Sequence, residues 1–214
     1  MSQLQYYFDK IAGEFNGYYT GRRPSVIQEI GYNIFRGPGL KRRFEDTVNI
    51  IGECNGQDIL DVGCGPGVYV QYFAKKKANV VGIDISSKMI ECARENLLKS
   101  RIKDFNLIVG DFMKYDFKEN FDYSIAIGLF DYLDKTQRYK YLGKLKDITK
   151  KKILATFPKK FTPQAPIRKA LFVIKGQPVY FYTKKRVFDM ASFWNLKVVF
   201  HDSGPIWTAE FIKR

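Results

Sequence analysis

From Gln57 onward, short apolar runs alternate with stretches of helical periodicity. "DILDV" (58–62), "NVVGI" (79–83), "FNLIV" (105–109), "FDYSIAI" (121–127) and "KILATF" (152–157) read as strands. Between them, "VYVQYFAKKKA" (68–78), "SSKMIECARENLLKS" (86–100) and "TQRYKYLGKLKDIT" (136–149) read as helices. In the second helix Ile90, Ala93 and Leu97 share one face, and Ser86 or Ser87 can cap its start. In the third, Tyr141, Leu145 and Ile148 lie on one side. Alternation of this kind implies right-handed crossovers and a largely parallel sheet. The end of the chain differs. "LKVVFHD" (196–202) and "IWTAEFI" (206–212) are joined only by "SGP", and so short a connection forces an antiparallel pair. The expected fold is α/β: a doubly wound, mostly parallel seven-stranded sheet with an antiparallel C-terminal hairpin and an N-terminal helical cap.

Residues 1–56 precede the first strand and look helical, with loops at 16–24 and 36–39. They are expected to cover the ligand-binding edge of a core spanning 57–214, within a single domain. "KKFTPQAPIRKALFVIKGQPVYFYTKK" (159–185) reads as an insertion before the last helix, and prolines 163, 166 and 178 leave its shape open.

The stretch "ILDVGCGPGVYV" (59–70) places Gly63, Gly65 and Gly67 between a strand and a helix. Such a loop offers close backbone approach, free N–H groups and a positive helix end. A phosphate-binding P-loop needs G-x-x-x-x-G-K-[ST], but Gly67 is followed by Val68 and Tyr69. A dinucleotide fingerprint needs G-x-G-x-x-G, and the spacing here is G-x-G-x-G. Asp84 closes the second strand, 17 residues after Gly67, so the acid alone does not exclude a dinucleotide. Asp61 before the glycines and Asp111 after the third strand add two more carboxylates at neighbouring strand ends. A crevice lined by three acids suits a ligand with a cationic centre, a ribose and an exocyclic amine, and suits a pyrophosphate badly.

"DVGCGPG", "VVGIDIS", "VGDF" and "FDYSIAIGLFDYL", in this order and spacing, resemble the successive motifs of class I S-adenosylmethionine-dependent methyltransferases. The resemblance covers about residues 57–157, the reversed last strand fits it, and "YYFDKIAGEFNGYY" resembles the N-terminal helix of many small-molecule members. It implies S-adenosyl-L-methionine as cofactor and S-adenosyl-L-homocysteine as product. It also implies roles by position. Asp61 orients the methionine amino end, and Gly63, Gly65 and Gly67 let the backbone pass beneath the methionine and ribose. Asp84 takes both ribose hydroxyls. Ile85 and Met89 pack on the adenine, Asp111 accepts from its amine and Phe112 lies beside the ring. A carbonyl of Ile127 or Gly128 receives the methionine ammonium. Tyr19 and Arg22, with Tyr18 and Arg23, are placed to close over the methionine carboxylate or an anionic substrate.

The acceptor side is less determined. A sulfonium donor is already activated, so positioning carries much of the rate, and a base matters only where the acceptor holds its proton. Asp131, Tyr132 and His201 are the candidate catalytic residues. The Asn/Asp-Pro-Pro-aromatic loop of the family's nucleobase and glutamine methylators is replaced by "GLFDYL", and Cys54, Cys64 and Cys92 are poorly placed as nucleophiles. A small-molecule acceptor is favoured, with O-methylation preferred.

Composition adds two points. The formal net charge is +14, in scattered clusters that include Lys41-Arg42-Arg43, which keeps an RNA methyltransferase in view. A non-catalytic S-adenosylmethionine-binding interaction module is the third reading. Three cysteines and one histidine form no disulfide set or metal-type spacing, the N-terminus does not read as a signal peptide, and a cytoplasmic location is expected. No segment approaches a membrane span. The aromatic and basic stretch at 32–51 leaves peripheral membrane contact conceivable, with a cap helix as the plainer reading.

Overall fold

The computed structural model describes residues 3–20, 37–174 and 176–214. In chain order the helices and strands are α1 (Gln3–Thr20), α2 (Gly37–Ile51), β1 (Asp58–Val62), α3 (Val68–Lys75), β2 (Asn79–Asp84), α4 (Ser87–Lys99), β3 (Asn106–Val109), β4 (Phe121–Ala126), α5 (Lys135–Ile148), β5 (Thr149–Pro158), α6 (Gln164–Ile174), α7 (Lys184–Phe193), β6 (Leu196–Asp202) and β7 (Ile206–Lys213). They form one seven-stranded sheet in the order β3-β2-β1-β4-β5-β7-β6. The first five strands pair in parallel, and β7 alone is reversed, antiparallel to both β5 and β6.

The central strands are near-continuous apolar runs because both faces of a parallel sheet are covered. Leu60, Val62 and Ile83 join a core with α5 and α7, through Leu142, Leu145, Val187 and Met190. Ile59, Val80 and Ile125 point the other way, against Val70 and Phe73 of α3, Ile90 and Leu97 of α4 and Ile51 of α2.

Local chemistry fixes several boundaries. The Ser86 hydroxyl accepts from the Met89 amide and caps α4. Asp134 and Gln137 form a capping box at the start of α5, one residue earlier than the pattern suggests. The Lys75–Lys77 run was expected to continue α3. Instead Lys77 turns left-handed (φ 63°) and Ala78 donates back to Phe73, which delivers the chain to β2. β5 begins at Thr149, ahead of the expected Lys152, and follows α5 without a loop. There the Thr149 hydroxyl contacts Ser124 at 2.6 Å.

The segment 159–185 holds a helix, α6, that the prolines hid. Pro163 precedes it and Pro166 falls in its first turn, where a missing N–H leaves no intrahelical bond unmade.

Gly143 of α5 sits where an added Cβ would lie 2.4 Å from the Trp194 ring. That indole donates to the Tyr139 carbonyl at 2.8 Å. Gly143→Ala is therefore expected to destabilise the protein by roughly 1–3 kcal/mol through overpacking. Urea denaturation checks it; an unchanged midpoint would mean that Trp194 moves aside freely.

Candidate active site at the carboxyl ends of β1, β2 and β4

β1 lies between β2 and β4, so the chain leaves it in opposite directions and opens a crevice at the carboxyl ends of these strands. A cavity of about 430 Å³ occupies this position. Gly63, Gly65, Asp61, Asp84, Ile85, Met89, Asp111, Phe112, Ile127, Gly128, Asp131 and Tyr132 all line it.

The glycine loop has positive φ at all three glycines: 72° at Gly63, 52° at Gly65 and 80° at Gly67. Gly63 and Cys64 donate to the Ile83 carbonyl, holding the loop against β2. The Gly65 amide donates to Asp84 Oδ2 at 2.9 Å, and Asp84 Oδ1 accepts from Ser86 at 2.9 Å. A carboxylate therefore occupies the loop amide that a pyrophosphate would need. Gly67 corrects the expectation that it passes beneath the ligand. It is absent from the cavity wall, and an added Cβ would stand 3.0 Å from Ala93 of α4. Its job is the left-handed start of α3 and the close approach of two helices.

Asp61 is buried at the end of β1, and its Oδ2 has no hydrogen-bond partner among the described residues. Burial, reinforced by the charge of Asp84, pushes its carboxyl up to about 8. Burial also raises Asp84, to about 6, although the Ser86 and Gly65 amides pull it down. Two acids desolvated side by side on the cavity wall, one with a buried oxygen unbonded among the described residues, make a wall complementary to a cation with N–H donors.

At the end of β3, Asp111 Oδ1 accepts from the Met113 amide at 2.9 Å. Lys144 of α5 clamps this turn by donating to the carbonyls of Phe112 and Tyr115, each at 2.6 Å. The Phe112 ring packs 5.4 Å from Tyr141 and also belongs to the core.

At the end of β4, the Gly128 amide donates to Thr156 at 2.7 Å. An added Cβ there would lie 3.3 Å from Arg43 Nη1. Arg43 reaches the site from α2 and is a residue that the sequence reading passed over, within the Lys41-Arg42-Arg43 cluster. Lys41 and Arg42 are exposed, while Arg43 is buried on the cavity wall. The available signal was its helical register with Thr47, which is fully buried four residues on.

Asp131 and Tyr132 form a short 3₁₀ turn after β4 (Phe130–Tyr132). The Asp131 carboxylate pairs with Arg168 of α6. The Tyr132 ring lies 5.1 Å from Phe8 of α1 and 5.8 Å from Phe172 of α6. These two residues therefore tie together the helices over the cavity.

His201 is a correction. It is not on the cavity wall; it stands on the edge strand β6, 3.3 Å from Glu210 of β7. The expectation followed chain position and overlooked that two strands separate β6 from β4. The side chains of Tyr18 and Tyr19, and Arg22 and Arg23 altogether, lie outside the described residues.

The Asp61 carboxyl rises in the folded state from the usual 3.8 to about 8, so the folded protein holds a proton that the unfolded chain has lost. Stability of the ligand-free protein is then greatest below about pH 4 for this group and falls as pH rises towards 8. Asp61→Asn is expected to flatten that fall in a melting series from about pH 5 to about pH 8. A variant with the wild-type pH profile would show that Asp61 ionises freely.

Residues 59–152 match a family model described as a methyltransferase domain. Malonyl-[acyl-carrier protein] O-methyltransferase 1 of Ilyobacter polytropus is 33% identical over 126 residues, 56% of this chain and 46% of that protein. An uncharacterized RNA methyltransferase of Clostridium acetobutylicum is 28% identical over 76 residues, 36% of this chain and 17% of that protein. The chain thus spans less than half the length of these relatives. The magnesium protoporphyrin IX methyltransferase of Synechocystis PCC 6803, crystallised with bound SAH, superimposes with a TM-score of 0.80 over 99% of this chain and 98% of its own. Its sequence identity is 14%, so this likeness establishes the fold. With the glycine loop, the strand-end acids and the reversed seventh strand in place, residues 59–152 match a methyltransferase domain, and the chain has the Rossmann-like fold of S-adenosylmethionine-dependent class I methyltransferases.

Proposed function

We infer that this protein methylates a small, largely apolar acceptor, at oxygen by preference, with S-adenosyl-L-methionine as donor. The observation that carries the reading is the unpartnered, buried Asp61 oxygen on a wall shared with Asp84. Bound there, the cofactor supplies a methyl group on a positively charged sulfur, open to in-line displacement. Asp61 suits its ammonium group, and the carbonyl of Ile127 or Gly128 offers a further acceptor. Arg43, against Gly128, suits its carboxylate. The remaining lone pairs of Asp84 suit the ribose hydroxyls, while Ile85, Met89 and Phe112 offer an apolar slot for adenine beside Asp111. Gly63 and Gly65 keep the loop free of side chains where the ligand passes.

The opposite half of the cavity is lined by Leu133, Ala165, Leu171, Phe172, Phe181 and Ile206. This apolar lining supports a small-molecule acceptor. The RNA reading has the +14 charge behind it, but a nucleotide strand calls for a continuous basic groove, and the basic residues lining this half, Lys159 and Arg168, are paired with Asp202 and Asp131. The methyl group on oxygen in the Ilyobacter relative's name supports the same preference. We assign Asp131 a positioning role. Its carboxylate is engaged by Arg168, and it holds α6 over the acceptor. The described parts of residues 1–56 serve as the cap, α1 contributing Tyr7, Phe8 and Phe15 to the cavity. The three cysteines are free thiols, which fits a reducing cytoplasm, and no described helix is long and apolar enough to cross a membrane.

S-adenosylmethionine and S-adenosylhomocysteine are expected to raise the melting midpoint, and NAD to leave it unchanged. Stabilisation by NAD alone would overturn the reading. Asp84→Asn is expected to weaken donor binding by about tenfold or more, since hydrogen bonds to a charged group contribute about 1.5–3 kcal/mol. A cationic ligand favours the ionised form of Asp61, so donor binding near neutral pH should release protons and tighten as pH approaches 8. Calorimetry in buffers of different ionisation enthalpy reads this directly; affinity that falls with rising pH would contradict it.

A further inference from the structure

The outer face of α6 is apolar without a partner to cover it among the described residues. Ile167, Leu171 and Ile174 stand at i, i+4 and i+7, with Val173 beside them and Phe161 just before the helix. Phe161 and Ile174 are each 80% exposed and Val173 is 69% exposed. The inner face, through Ala165 and Phe172, is buried. A helix that is apolar on both sides requires a second apolar environment, because water covers one of them at a cost.

The surroundings say what that environment is. Between Lys159 and Phe188 the chain carries eight lysine and arginine residues and no carboxylate. Lys159, Arg168 and Lys185 pair with Asp202, Asp131 and Asp189. Lys160, Lys169 and Lys184 have no ion-pair partner among the described residues. Lys160 lies over the Phe161 ring at 5.2 Å, and Lys184 reaches the Trp207 ring, shared with Lys159, at 4.5 Å. Basic charge therefore rims the apolar face, a pairing that matches a bilayer with anionic headgroups. The apolar surface argues against RNA as the occupant, and the like charge argues against a second copy of this basic face.

We propose that α6, with Phe161 before it, docks this protein on an anionic membrane surface. Ile167 and Leu171 are half-exposed and also line the cavity, so the docked face is continuous with the mouth of the acceptor half. An amphiphilic acceptor can then pass from the bilayer into the cavity without crossing water. The stretch 32–51, where membrane contact seemed conceivable from sequence, does not offer this over its described part. Phe44 is turned inward, 5.3 Å from both Tyr69 and Tyr72.

Co-sedimentation of the full chain with vesicles tests this independently of the acceptor. At low salt the protein should pellet with phosphatidylcholine vesicles containing phosphatidylglycerol and stay in solution with phosphatidylcholine alone. Phe161→Ser/Val173→Ser/Ile174→Ser and Lys160→Glu/Lys169→Glu should each weaken vesicle binding about tenfold or more. Both should keep the wild-type melting midpoint and donor affinity, because none of these side chains lines the cavity. Vesicle-independent solubility of the wild type, or full binding by either variant, would overturn the proposal. So would a self-association or RNA retention that the variants abolish while the wild type ignores anionic vesicles. Failure of donor binding in the wild type would instead sink the functional reading and leave the docking result standing.

Discussion

The Asp84 carboxylate is the joint on which the site hangs. It closes β2, receives the Gly65 amide on one oxygen and the Ser86 amide on the other, and so fixes the glycine loop and the start of α4 together. Ser86 in turn caps α4 and donates to Asp9 of α1 at 2.6 Å, which extends the same network to the helix over the cavity. A buried acid is tolerated here because backbone amides compensate part of its desolvation. Asp61, one strand away, lacks that compensation, and its unsatisfied oxygen is the observation on which the proposed cationic ligand rests.

The proposed donor and acceptor halves are built from different parts of the chain. The donor half comes from turns after β1, β2, β3 and β4, each short and held by backbone hydrogen bonds or by Lys144. The acceptor half comes from α1, α6 and the residues around Pro158 and Ile206. Contacts that join them include the Ser86–Asp9 hydrogen bond, the Asp131–Arg168 ion pair and the Tyr132 ring between Phe8 and Phe172. Strand-end turns are rigid and suit a fixed cofactor. Helices held by a few aromatic and ionic contacts can be exchanged with less effect on the fold, which supports the proposal that they carry specificity for the acceptor.

The cavity wall at the strand ends was legible from residues alone because its chemistry is local. Asp61, Asp84 and Asp111 each end a strand that its apolar run announces, and the sheet then brings the ends side by side. Gly67 was misjudged because its constraint is a contact with Ala93, a residue on another helix. His201 was misjudged because chain order says nothing about which strand lies at the edge. Arg43 was hidden among exposed basic neighbours, and only the packing of α2 turns it inward. α6 was hidden because Pro163 and Pro166 read as breakers, whereas they stand before the helix and in its first turn.

The sequence by itself determined the strand–helix alternation, the reversed final hairpin and the placing of acids and glycines at the strand ends. Each depends on short-range patterning: burial periodicity, turn chemistry and the length of a three-residue connection. Tertiary structure alone decided which charges face the cavity, which helices roof it and which apolar face is left uncovered. Those properties are set by what packs against a side chain, and packing joins residues that the chain keeps far apart.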